Sequence, residues 1–120
     1  NALSVVAAEA AYNYGEEWLD ELLIYLEENL NYLIDFFEKN LPEINVIHPE
    51  GTYLVWLDFR ELDLGSDELS DLMINQAKVA LDDGYWFGEQ GIGFERINIA
   101  CPRSLLKDGL NRIKKAVKNM

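Results

Sequence analysis

The 120 residues carry 22 acidic and 10 basic side chains, for a formal charge of -12. That charge repels nucleic-acid phosphates and anionic lipid headgroups, so neither nucleic acid nor a membrane surface is expected as a partner. One cysteine and one histidine supply neither an internal disulfide nor a four-ligand zinc site, and no metal site is expected. With 49% hydrophobic residues the chain is long enough for a single core, and a reducing, cytoplasmic setting fits its cysteine usage.

Residues 3–14 are rich in alanine and other small side chains and predict a helix that another element can approach closely, ended by Gly15. Residues 1–15 therefore read as a helix made to pack against something outside this chain. From Glu16 to Asn40, apolar residues recur at Leu19, Leu22, Leu23, Leu26, Leu30, Leu33 and Phe37, the spacing of a long helix with one broad buried stripe. Leu41-Pro42 stops it. Two extended segments follow, 45–47 and 52–59, joined through His48-Pro49 and Gly51.

Ser66 can cap a helix running from about Asp67 to Leu81, ended by Asp82-Asp83-Gly84. Residues 85–87 predict a short strand, 88–93 a glycine-containing hairpin turn, 94–101 a further strand, and 102–120 a helix burying Leu105, Leu106, Leu110, Ile113 and Val117. The order of elements points to an α+β fold in which helices cover one face of a sheet. The acidic pairs Glu16/Glu17, Glu27/Glu28 and Asp82/Asp83 are expected to face water, and Tyr53, Trp56, Tyr85 and Trp86 read more readily as core than as a ligand wall.

Strand alternation in FERINIAC places Phe94, Arg96, Asn98 and Ala100 on one face and Glu95, Ile97, Ile99 and Cys101 on the other. The isoleucine face meets the helices, so Arg96 points away from the core on a rigid element, where its planar fork suits a carboxylate. On composition alone, pairing with a surface acid is the plainer reading of Arg96. His48 reads as a loop histidine, Cys101 as a small buried hydrophobe, and the three glycines of 88–93 join two strands rather than a strand to a helix, unlike a dinucleotide fingerprint.

The segments PEGTYLVWLDFREL and VALDDGYWFGEQGIGFERINIACPRSLL resemble the C-terminal small domain of fold-type I pyridoxal-phosphate enzymes. Nearly the whole chain is covered, and the wording is most similar to the cystathionine beta-lyase-like branch. The resemblance implies the aspartate aminotransferase fold with a mostly antiparallel sheet. It implies that Arg96 holds the substrate's α-carboxylate with Asn98 beside it, that Gly51, Thr52 and Tyr53 approach the active site, and that Phe87, Gly88, Gly91 and Gly93 form the loop leading into the arginine strand. It also implies pyridoxal 5'-phosphate held by a large domain of the same chain, an amino acid substrate and a homodimer.

The residues of the large domain that hold and activate the cofactor have no counterpart among these 120, so residues 1–120 read as a small domain that is inactive alone and contains no catalytic residue. The implied parent is a carbon-sulfur β-lyase. A class I/II aminotransferase of the same fold and a non-catalytic acidic interaction domain are the alternatives.

Overall fold

A computed structural model describes residues 1–120. Two helices lead, α1 (Ala2–Tyr14) and α2 (Glu16–Asn40), followed by β1 (Asn45–Ile47) and β2 (Leu54–Asp58). Next come α3 (Ser66–Asp71), β3 (Asp82–Asp83), β4 (Phe94–Asn98) and α4 (Arg103–Val117). The four strands form one antiparallel sheet in the order β1-β2-β4-β3. Helices cover one face of it, as the sequence pattern requires.

Register follows from burial. Val55 opposes Ile97 and Leu57 opposes Glu95 across β2 and β4, and all four are buried. Slipping the pairing by one residue would turn these side chains to the other face and expose them. Onto this face α2 lays Leu26, Leu33, Phe36 and Phe37, and α4 lays Leu106, Leu110 and Ile113. Each such side chain contributes about 1.5–3 kcal/mol when fully buried. The helix ends agree with the dipole, with Glu16 and Glu17 opening α2 and Lys114 and Lys115 in the last turn of α4.

Several expectations are corrected. The helix predicted to reach Leu81 is α3 continued by a π-helical turn over Leu72–Ala77, and it stops because Lys78 adopts a left-handed backbone with φ 58°. The cap of α3 is Gly65, whose N–H donates to the Glu68 carboxylate, so Ser66 is the first helical residue. Residues 85–87 are not a strand. Gly84–Phe87 form a 3-10 turn, and the sheet's fourth strand is the acidic pair Asp82–Asp83.

Asp83 is accordingly buried beside the core rather than facing water. Leu19, Leu23 and Leu105 lie exposed, as do Tyr53, Tyr85 and Trp86. Those three aromatic residues belong to turns at the rim of the sheet, where no helix covers them. The whole of α1 is exposed, with no buried residue.

Candidate functional site

The helix-free face of the sheet carries Trp56, Phe94 and Arg96 side by side, because Trp56 opposes Arg96 and Asp58 opposes Phe94 across β2 and β4. The 3-10 turn after β3 folds Phe87 back over this face. Its ring packs edge-on to Trp56 with centroids 5.3 Å apart, and Phe94 packs edge-on to the same indole at 6.3 Å. Arg96 stacks its guanidinium 4.4 Å from the centre of the Phe87 ring. Such a contact contributes about 0.5–2 kcal/mol, rising as water is excluded.

Arg96 is three-quarters covered, its side chain being 25% exposed, and it makes an ion pair. Its Nε and Nη2 donate to one oxygen of Asp82, at 3.1 and 2.8 Å. The acid-pairing reading of Arg96 is therefore realised, though with a partner set opposite it by the β3–β4 register. Arg60, the other arginine on this face, is held more completely. Its Nε and Nη2 donate to both oxygens of Asp58 at 2.9 and 2.7 Å, and its guanidinium lies 4.7 Å from the Phe94 ring. That guanidinium holds the Asp58 carboxyl below its usual range.

Asn98 is exposed at the end of β4, and its side-chain oxygen accepts from the Ala100 N–H at 2.8 Å. Beside it, the Ile99 N–H donates to the Tyr53 carbonyl at 2.9 Å, which joins the Gly51–Tyr53 segment to the same end of the sheet. Thr52 has φ 67°, a conformation rare without glycine, and its hydroxyl accepts from the Leu54 N–H at 3.2 Å. A groove of about 550 Å³ opens between β4, residues 78–82 and the start of α4, and Asp82, Arg96 and Asn98 line it.

Phe87, Gly88, Gly91 and Gly93 do form the connection into β4, and its shape depends on glycine at two places. Gly93 has φ 82° and leaves no room for a side chain beside Arg60. Gly84 and Gly91 meet backbone to backbone, so a Cβ on Gly84 would lie 2.1 Å from the Gly91 carbonyl oxygen.

Sequence reasoning missed three features. In the sequence, Asp82 stands out only as part of a helix stop. Asn29, fully buried in α2, donates from its amide to the carbonyls of Ile99 at 2.8 Å and Cys101 at 3.1 Å, and its oxygen accepts from Arg103 Nε. An asparagine inside an apolar helical stripe was the available signal. Arg103 also reaches Glu28 at 3.1 Å, so α2 clamps the exit of β4.

The third feature is Glu95, 1% exposed and opposite buried Asp83. Burial first, then the Asp83 charge and a hydrogen bond with Asp83, push the Glu95 carboxyl up to about 8. Its inward position was visible in the strand alternation.

No family model matches the chain. It is 44% identical to cystathionine beta-lyase PatB of Bacillus subtilis over 117 residues, covering 98% of this chain and 30% of that protein. It is 43% identical to the protein MalY of Escherichia coli over 118 residues, with the same coverage of each. Among solved structures it superposes with a TM-score of 0.94 on cystalysin of Treponema denticola, which contains pyridoxal 5'-phosphate, at 43% identity and covering 98% of this chain and 30% of that one. The chain thus spans about 30% of the length of the curated relatives it matches. In sequence and in fold, the chain matches the small C-terminal domain of the pyridoxal-phosphate-dependent aminotransferases and carbon-sulfur lyases.

Proposed function

We propose that residues 1–120 form the substrate-carboxylate-binding and closing domain of a pyridoxal-phosphate-dependent carbon-sulfur β-lyase acting on cystathionine-like amino acids. The observation that carries this reading is Arg96, set on a rigid strand of the helix-free face and stacked on Phe87 beside an open groove. The 43–44% identity to PatB and MalY over nearly the whole chain supports the lyase branch.

Residues of this chain fit the substrate end of such a site rather than the cofactor. Lys39, Lys107, Lys114, Lys115 and Lys118 belong to α2, to α4 and to the turn after it, on the helical side of the sheet. Lys78 lies where the π-helical turn ends. The cofactor, held by the large domain, supplies an electron sink for the pair left when the substrate's α-proton is removed. Arg96 then fixes the α-carboxylate and so orients the α-hydrogen, with Asn98 and the Gly51–Tyr53 segment bordering the same site. Closure over the groove excludes water. Exposed Leu3, Val5, Val6 and Tyr12 on α1 suit a helix that packs against the large domain, and we take residues 1–15 as the interdomain helix. The parent is a cytoplasmic homodimer in this reading.

The full-length protein tests it. β-Elimination breaks the carbon-sulfur bond and releases a thiol from cystathionine with no added 2-oxo acid, whereas transamination requires such an acceptor. Thiol release without an acceptor is the expected result, and strict dependence on one would move the parent to the aminotransferases. Arg96→Lys keeps the charge but loses the fork, so kcat/KM should fall about 10- to 1000-fold while bound-cofactor absorbance is retained. Unchanged kinetics would remove Arg96 from the substrate site.

A further inference from the structure

Asp82 stands on the Arg96 face as the ion-pair partner of that arginine. β3 is only two residues long, yet it sets Asp82 directly opposite Arg96, so the backbone register fixes their pairing. A guanidinium offers carboxylates two edges, a side edge of Nε with one terminal nitrogen and an end edge of both terminal nitrogens. Asp82 takes the side edge, and does so through a single oxygen, Oδ2. Phe87 stacks against the plane of the group. Nη1 is left with both hydrogens, and together with the second hydrogen of Nη2 it makes an intact end edge.

We propose that Asp82 is a positioning residue, which holds Arg96 by its side edge so that the end edge is presented to the substrate's α-carboxylate. This rests on the reading of Arg96 as the carboxylate clamp. Three constraints then orient one planar group: the opposite strand, the Phe87 ring and the β4 backbone. An arginine so fixed loses little rotamer freedom when substrate arrives, and it delivers the carboxylate in one orientation. Asp82 does not compete with substrate, because the two carboxylates use different edges.

The test uses the full-length holoenzyme and three variants. Asp82→Ala removes the hold and should lower kcat/KM roughly 10- to 100-fold. Asp82→Asn keeps an acceptor oxygen at the same register position and should restore kcat/KM to within a few-fold of the parent. In protein labelled with 15N-arginine, the Arg96 Nε–H signal should show slow exchange in the parent and in Asp82→Asn, and lose that protection in Asp82→Ala. If Asp82→Ala does not fold, Asp82→Ser, too short to reach, carries the same expectations.

Tighter substrate binding in Asp82→Ala would overturn the proposal, because it would make Asp82 a competitor that substrate must displace. Unchanged kcat/KM in Asp82→Ala would overturn it as well. The third variant, Arg96→Lys, separates the two levels: normal kinetics there would remove the clamp itself, whereas a defect there beside a normal Asp82→Ala would spare the clamp and refute only the positioning role.

Discussion

Glu95→Gln should stabilise the fold at alkaline pH and leave it nearly unchanged at acid pH. The Glu95 carboxyl sits at 1% exposure, and burial, the charges of Asp83 and Asp82 and the hydrogen bond with Asp83 raise it from 4.5 to about 8. The unfolded chain therefore gives up this proton near pH 4.5 and the folded chain only near pH 8. Between those values the folded state binds more protons, so stability falls as pH rises, by at most about 1.4 kcal/mol per pH unit. The full span sets a ceiling of about 5 kcal/mol. Relaxation and partial hydration around the charged form reduce it to about 2–4 kcal/mol.

Glutamine keeps a hydrogen-bond donor towards Asp83 and carries no charge at any pH. Urea denaturation of parent and variant at pH 5, 7 and 9 reads the difference directly, since the other titrating groups are common to both. The gain should be close to zero at pH 5, intermediate at pH 7 and largest at pH 9. A gain or loss of constant size over this range would refute the buried-carboxyl argument.

Two further substitutions probe the elements that hold the site. Gly84→Ala puts a Cβ 2.1 Å from the Gly91 oxygen and 2.6 Å from the Phe94 oxygen, so the β3 turn must open, and a stability loss of about 2 kcal/mol or more is expected in thermal or urea melts. Asn29→Ala leaves the carbonyls of Ile99 and Cys101 without their side-chain donor and should cost about 1–3 kcal/mol. Asn29→Asp should cost more, because it turns an acceptor towards two acceptors.

Long periodic segments were the legible part of the sequence. The stripes of α2 and α4 and the alternation of β2 and β4 gave the helices, the two main strands and the outward aim of Arg96. Features without a local cause leave no signal in the sequence. Lys78 ends its helical segment in a left-handed conformation with no glycine to announce it, so the sequence points instead to Asp82-Asp83-Gly84, which begins four residues later. Two residues of β3 have no periodicity at all, and only pairing with β4 makes them a strand. Leu19, Leu23 and Leu105 show the same gap from the other side, since an apolar edge looks alike in sequence whether or not anything covers it.

The β3–β4 ladder accounts for how so short a strand keeps its place. Consecutive acids of β3 meet consecutive residues of β4, Asp82 with Arg96 on the helix-free face and Asp83 with Glu95 on the core face. A slip of one residue would exchange the two faces and leave Arg96 without its partner. Few backbone hydrogen bonds are available in a two-residue strand, so these side-chain pairs must carry much of the register. The core-face pair sets two buried carboxyl groups against each other and the outer pair closes as an ion pair, so one ladder joins a buried acid pair to a mostly covered guanidinium. Arg96 is held in position through both, and through Asn29 and Arg103, which fix the far end of its strand to α2.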